Sequence, residues 1–527
     1  MVNNVNKENS TVCVNPATGE TIGHSVLNSV EQLKEAVVKA RKAQEAWAKT
    51  GIKKRVKALQ GILNYLVENT DLLAETISQD NGKTRVDALA TEIVPAAMSI
   101  RYYMKNAKRF LKPRNTGCGN IMLANKRSKI VRVPFGIIGI ISPWNYPFGI
   151  PFSEVIMALL AGNAVILKTA SDTQMVGRQL EACIQAGDLP EGLFRFINLP
   201  GQEAGKAFLE NGIDKVFFTG SVKAGKWIMA KAAETLTPVV LELGGNDAML
   251  VCPDADLYRA ASGAVWGGFS NAGQSCAGVE RVYVHASIYD EFMALLKQKV
   301  ENLRVGNGMN LNSDMGVMTT SSQLETVKAH VADALEKGAV IFAQSPAPSD
   351  GNLKNYHPAI VLTNVNHSMR VMTEETFGPV LGVQKVESME EAIQLANDSI
   401  LGLTGSVWSK NHKKAIALGK QIRAGAITIN DHLMSHGLAE TPWGGFKESG
   451  IGRTHGRIGF DEMTHPQVIV NDTLPFAKQD LWWHPYNETL YQGLKGLIGF
   501  LYHRKLGVRL SGLGKLLRIV PRLFRKE

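Results

Sequence analysis

Three residue types in this chain have surroundings suited to covalent chemistry on a carbonyl. The first is Cys276, in the stretch 265–281, VWGGFSNAGQSCAGVER. Gly273, Gln274, Ser275, Ala277 and Gly278 offer little bulk around it, so a substrate and a cofactor could both approach the sulfur. Backbone N–H groups at the start of a helix or a tight turn would lower its pKa toward the attacking thiolate. Read alone, a single cysteine in so long a chain is more commonly a small buried hydrophobe. The second is Glu242, in the apolar run PVVLELGG. A carboxylate there is partly desolvated, with a pKa raised toward neutrality as a general base for water requires, although a buried ion pair would look the same. The third is Asn145 in SPWNYPF, whose side-chain amide could donate to an oxyanion, with the Cys276 backbone N–H as second donor. On its own that motif also reads as an asparagine turn after Pro143.

Such residues need strand ends and turns to hold them, and the chain supplies these. Residues 30–50, 53–69 and 88–110 carry apolar positions at helical spacing. Residues 118–134 change period and predict a hairpin, with Ile121, Leu123, Ile130, Val131 and Val133 in its strands and a polar turn at 125–128. From Gly136 onward GIIGIIS, NAVILK, LFRFINL, KVFFTG and PVVLEL alternate with helical stretches, which predicts a parallel α/β sheet. After Gly245, DAMLVC, RVYVH, AVIFA, AIVL and AITIN predict a second. Lys168 closes NAVILK at the carboxyl edge, where such sheets bind ligands. Gly220, Ser221 and Gly225 open a helix and could receive a pyrophosphate on backbone N–H groups, in a spacing unlike the usual dinucleotide fingerprint.

At 527 residues, 45% hydrophobic and 20% charged, the chain is globular and long enough for two or three parts. Its five cysteines (Cys13, Cys118, Cys183, Cys252, Cys276) are few, odd in number and without metal-type spacing. They argue for a reducing compartment and against a disulfide framework or a metal site. The first residues lack the apolar core of a secretory signal, so the cytoplasmic side is expected. The net charge is +10. Ten Lys/Arg against three acids in residues 473–527 supply most of it, and a nearly neutral body argues against nucleic acid as a partner.

Taken in order, SPWNYPF, VILK, FTGSVKAG, LELGG, NAGQSCAG, EETFGPV and PWGGFKESGIGR resemble the aldehyde dehydrogenase superfamily over about residues 14–470. The resemblance implies that Cys276 is the nucleophile, Asn145 an oxyanion donor and Glu242 the base that releases the acid by hydrolysis. It places Trp144, Lys168, Ser171, Gly220, Ser221, Gly225, Glu375 and Phe377 around NAD or NADP. Glu375 would hold the nicotinamide ribose and Phe377 would pack by the ring. Ser171 stands where relatives often carry an acid for the ribose 2′-hydroxyl, which leaves the choice of NAD or NADP open. Asn246 replaces a common lysine and is expected to have no chemical consequence. The implied organisation is a cofactor domain at 1–117 and 135–244, a catalytic domain at 245–447, an oligomerisation element at 118–134 and 462–471, and a homodimer or homotetramer.

The tail 473–527 is the clue to the substrate. Leu494, Leu497, Ile498 and Leu501, then Leu513, Leu516, Leu517 and Val520, fall at helical spacing among Lys and Arg, without a run long enough to span a bilayer. Such a tail reads as a peripheral anchor on the inner, anionic face of a membrane, aided by Trp482 and Trp483, or as an element packed on the protein itself. The anchor favours a long-chain fatty or polyenoic, carotenoid-like aldehyde. A soluble semialdehyde such as succinate semialdehyde, which would want an arginine in the tunnel, is the alternative. A non-catalytic membrane-docked scaffold is a third reading, opposed by the intact Cys276, Glu242, Asn145 and Lys168.

Overall fold

β-branched and aromatic runs without polar alternation become strands covered on both faces. In the computed structural model, which describes residues 9–120, 123–348 and 351–525, the strands Ile137–Ile141, Ala164–Lys168 and Asp247–Val251 are buried at every position. The chain divides into two units, Met1–Leu111 with Val133–His465, and Lys112–Arg132 with Pro466–Glu527.

The first unit is α/β, with two large sheets and a small antiparallel one that pairs Ser10–Val14 with Thr21–Val26. The six-stranded sheet runs Gly450–Ile451, Val239–Glu242, Lys215–Thr219, Ile137–Ile141, Ala164–Lys168, Phe194–Phe196. All its neighbours are parallel except Gly450–Ile451, which pairs antiparallel with Val239–Glu242. The seven-stranded sheet runs Val340–Gln344, Ile360–Thr363, Val380–Val386, Val279–His285, Asp247–Val251, Thr404–Trp408, Ala426–Ile429, parallel except at its first strand. Each large sheet has its own apolar core. Val380–Val386 and Thr404–Trp408 were not foreseen. Glycine or serine interrupts VLGVQKV and TGSVW, so neither reads as a continuous apolar run.

The helix Gly149–Ala161, GIPFSEVIMALLA, is buried along its whole length. Its N-terminal amides are held by Glu92, whose Oε2 accepts from Phe148 N at 2.8 Å and Gly149 N at 3.0 Å. Glu92 lies in a π-helical turn, Leu89–Ile93, that turns the carboxylate inward.

In the second unit the hairpin begins earlier than expected. Arg114–Asn115 pairs antiparallel with Lys126–Pro134, so the predicted polar turn at 125–128 is largely strand. Ile121 lies outside the described residues. The sheet order Thr464–Asp472, Lys126–Pro134, Arg114–Asn115 leaves the first strand at an edge, with Val468, Ile469 and Val470 exposed. Lys126 pairs with Asp472 and, at 2.7 Å, with Asp480.

The tail folds into two helices, Glu488–Tyr502 and Leu506–Ile519, that pack on each other. Leu481, Leu490, Leu516 and Ile519 form their core, joined by Leu494, Leu497, Phe500 and Leu523. The helices approach closely because Gly496 and Gly512 face each other's backbone, leaving no room for a Cβ. Part of the apolar periodicity is thus spent within the hairpin. The rest faces outward, with Ile498, Leu510, Leu517, Trp482 and Trp483 exposed. Among the described residues no helix is long and apolar enough to cross a membrane.

Candidate active site

Cys276 follows a backbone that few sequences could adopt. Asn271 and Ala272 take left-handed angles, φ 53° and 52°, and Gly273 follows at φ 70°. A side chain at Gly273 would collide with the Gly378 carbonyl. Gln274 is fully buried, its Oε1 accepting from Thr319 N at 2.9 Å and its Nε2 donating to Asn271 O at 3.0 Å. The small residues around the cysteine therefore serve close packing of the protein on itself as well as access to sulfur. No helix begins here: Gly278 N donates to Ser275 O at 2.9 Å, closing a tight turn that holds Cys276 half-buried.

Burial raises the pKa of the Cys276 thiol well above the ordinary cysteine value, and Glu242, Glu375 and Asp247 push the same way. Its own backbone N–H opposes them weakly. The backbone N–H of the turn acts in the lowering direction expected, without outweighing burial.

Glu242 ends the strand Val239–Glu242 and is 4% exposed. Its Oε2 accepts from Trp443 Nε1 at 2.6 Å, while Oε1 has no partner among the described residues. Burial raises its pKa to about 8, opposed by the Trp443 bond and by Arg453, in the direction expected from the apolar strand. The glycines of LELGG make close approaches: a Cβ at Gly244 would meet the Glu375 carboxylate, and one at Gly245 the Cys276 carbonyl.

Asn145 is buried, and its Nδ2 donates to Gln274 O at 3.1 Å. Its main chain is clamped, the carbonyl accepting from Lys83 Nζ at 2.8 Å and Asn271 Nδ2 at 2.9 Å. Lys83 is paired with Glu92 at 2.7 Å, with both side chains wholly buried. One ion pair therefore holds both the Asn145 loop and the start of the Gly149–Ala161 helix.

Two cavities meet at the cysteine. A larger one is walled by Tyr146, Ile150, Trp266, Leu433, Met434 and His436, and none of its described lining residues is Lys or Arg. A smaller one brings together Glu154, Thr219, Glu242, His436, Trp443 and His455. Cys276, Ile150 and His436 belong to both walls.

The remaining predicted residues gather at the carboxyl edge of the six-stranded sheet. Lys168 is 5% exposed, and its Nζ has no hydrogen bond to a described residue. Burial lowers its pKa to about 8, and Asp172 counteracts this. The carboxylate near Lys168 is therefore supplied by Asp172, one residue beyond the exposed Ser171. Ser221 caps the helix Val222–Thr235, accepting from Ala224 N at 3.3 Å. Gly225 lies one turn inside that helix and is required small by Leu243, against which it packs. Gly220 N donates to Glu242 O at 3.0 Å. Trp144 and Phe377 meet edge to face at 5.5 Å. Glu375 accepts from Gly245 N at 2.9 Å.

Asn246 does have a structural consequence. Its Nδ2 donates to Glu280 Oε2 at 2.8 Å, and Glu280 Oε1 accepts from Phe377 N at 2.8 Å, so it helps fix the Phe377 loop. Lys83, Glu92, Trp443, Glu154, His436 and His455 were missed by sequence reasoning. For Glu154 a signal existed, since it is the single charge in an otherwise apolar helical run. Among the described residues no group of side chains could hold a metal ion.

The architecture is that of a two-sheet α/β enzyme assembled around a cysteine. The chain belongs to the aldehyde dehydrogenase family, which matches it over residues 3–469. It is 39% identical over 489 residues to a 4,4'-diapolycopene aldehyde oxidase of Methylomonas sp, covering 93% of this chain and 91% of the relative. A Mycolicibacterium smegmatis protein named as a succinate-semialdehyde dehydrogenase (NADP+) is 34% identical, with 86% and 87% covered. Among solved structures, betaine aldehyde dehydrogenase of Staphylococcus aureus in complex with NAD+ superposes with a TM-score of 0.84 at 31% identity, covering 91% of this chain and 94% of that one. An E. coli NADP dependent enzyme gives 0.84 at 29%, covering 89% and 95%.

Proposed function

We propose that the chain oxidises a long, apolar aldehyde, fatty or polyenoic, to the carboxylic acid, with NAD or NADP as oxidant. The observation that carries this reading is the position of Cys276 on the wall shared by an apolar tunnel without a described cation and a small cavity holding Glu242. A semialdehyde bearing a distal carboxylate would leave that charge unpaired among Leu433, Met434, Tyr146 and Trp266. The similarity to a diapolycopene aldehyde oxidase points the same way.

The residues at the sheet edge fit the cofactor. Lys168 is a buried donor without a protein partner, and the capped start of the Val222–Thr235 helix presents backbone N–H groups suited to phosphate. Lys168 would hold the adenosine ribose, while Trp144, Glu375 and Phe377 would border the nicotinamide end. When bound, the nicotinamide supplies the hydride acceptor that converts a hemithioacetal into a thioester.

The protein's own steps follow from the site. Glu242 takes the Cys276 proton as sulfur attacks the carbonyl carbon, and the C=O electron pair moves onto oxygen, where Asn145 Nδ2 and the Cys276 N–H stabilise it. After oxidation, Glu242 takes a proton from water as its oxygen attacks the thioester, and the tetrahedral adduct expels the Cys276 thiolate. NAD(P)H formation at 340 nm over aldehydes of rising chain length tests the reading. Efficiency rising with length and lost in Cys276→Ala is expected; the highest efficiency for succinate semialdehyde would refute it.

The outward Trp482, Trp483, Ile498, Leu510 and Leu517 lie in the same short tail as Arg509, Lys515 and Arg518, which suits an anionic lipid surface. Co-sedimentation with anionic but not neutral vesicles, weakened by Arg509→Glu with Lys515→Glu, is the expected result. The exposed edge strand Thr464–Asp472 suits pairing with a second copy, so a homodimer or homotetramer is expected in light scattering, disrupted by Val468→Lys with Val470→Lys.

A further inference from the structure

On the mechanism above Glu242 receives one proton from the thiol and one from water in each turnover; one returns to the expelled Cys276 thiolate and the other must leave. A carboxylate that is 4% exposed has no direct route to discharge it. The small cavity behind Cys276 supplies what is missing. Glu154, on the helix Gly149–Ala161, lines it together with Glu242, is 3% exposed and makes no hydrogen bond to a described residue. Two further polar atoms of the same cavity lack partners among the described residues, Glu242 Oε1 and His455 Nδ1. Three unpartnered polar groups around one small space make a site for ordered water.

We propose that Glu154 is a proton-relay residue for Glu242, reached through water in this cavity. The inference rests on the reading of Cys276 and Glu242 given above. In the step, protonated Glu242 gives its proton to the bridging water as that water passes one of its own to the Glu154 carboxylate. One O–H bond is broken and one formed at each oxygen, and no redox partner is needed. Glu154 discharges to bulk water entering the tunnel after product leaves, past the shared wall of Ile150 and His436.

The charged and titratable groups around the cavity are compatible with this. Glu242 and Glu154 are close enough that the charge on Glu242 raises Glu154, which burial has already pushed up, to about 8. Burial lowers His436 to about 4, and burial with the neighbouring His436 lowers His455 well below the usual imidazole value, which favours neutral rings that orient water without competing for the proton. Arg453 stabilises the Glu242 carboxylate, and its guanidinium is itself held by the Gly445 and Gly452 carbonyls. Burial and the charges of Glu242, Glu375 and Asp247 favour the protonated thiol of Cys276. Two carboxyls lining one small buried cavity share protons as a pair, so that one can be ionised while the other is loaded.

The test separates acylation from deacylation with a 4-nitrophenyl ester of a medium-chain acid, which needs no cofactor. The Cys276 sulfur displaces 4-nitrophenolate in a burst, and the steady phase reports hydrolysis of the thioester. In Glu154→Gln the burst is expected to stay within two-fold of wild type while the steady phase falls about ten-fold or more. Its pH midpoint should also move lower, because Glu242 loses a neighbouring negative charge. In wild type, the steady rate across H2O/D2O mixtures should curve as several protons move together. A steady phase and midpoint unchanged in Glu154→Gln would overturn the proposal, as would a burst reduced in parallel with it. A linear isotope plot in wild type would overturn it whether or not the variant folds. A wild-type enzyme without any burst would remove the nucleophile reading itself, and the relay with it.

Discussion

Replacing Trp443 by Phe removes one hydrogen bond from Glu242, the proposed general base, and leaves the rest of its surroundings in place. The indole N–H lies 2.6 Å from Glu242 Oε2, and both side chains are buried. The bond stabilises the ionised carboxyl, so its loss raises a pKa already pushed to about 8 by burial. A bond to a buried charge contributes about 1.5–3 kcal/mol, equivalent to about one to two pKa units. At pH 7.5 the ionised fraction would then fall from about a quarter to about 3% for one unit or about 0.3% for two, roughly a ten- to eighty-fold loss of deacylation. Raising the pH to 10 should recover most of it. Steady-state ester hydrolysis from pH 6 to 10 measures the effect, and thermal melting checks that the smaller ring leaves the protein folded. A Trp443→Phe enzyme with the wild-type profile would refute the assignment of Glu242 as the base. A loss that stays constant with pH would show that Trp443 acts through packing alone.

Asn145→Ala removes a side-chain oxyanion donor and should lower kcat about 10²–10³-fold with little change in cofactor affinity, measured by steady-state rates and fluorescence titration. Lys83→Met leaves Glu92 buried without its cation and should destabilise the protein by about 3–5 kcal/mol, read from denaturant unfolding; Lys83→Met with Glu92→Gln should recover part of that loss. Glu242→Gln should stabilise the protein increasingly as pH rises. The folded carboxyl keeps its proton up to about pH 8, whereas the unfolded one loses it near the ordinary value of 4.5. The wild-type penalty therefore grows between those limits, by about 1.4 kcal/mol per pH unit. Melting temperatures of the two proteins at pH 5 and pH 8 should diverge, and equal differences at both would contradict the burial argument.

Residues whose chemistry and local pattern coincide were legible in the sequence. Cys276, Glu242 and Asn145 sit at strand ends and turns that apolar runs announce, and the structure brings all three together. The groups that hold them were not legible, because their partners are distant in sequence. Lys83 meets Asn145 from 62 residues away, and Trp443 meets Glu242 from 201. No local spacing encodes such pairs; only closure of the two sheets does. The tail shows the same limit from the other side. Its helical period was legible, but a period cannot say which apolar residues a second helix will cover. Gly496 and Gly512 decided that by letting the helices close on Leu490, Leu516 and Ile519, while Ile498 and Leu517 remained outside. Glu154 falls between these cases. One carboxylate in an apolar helix costs several kcal/mol to bury without a partner, and a chain that accepts such a cost has usually placed the charge where chemistry needs it. Its meaning emerged only when the fold set it in the wall of one small cavity with a second carboxylate that must repeatedly lose a proton.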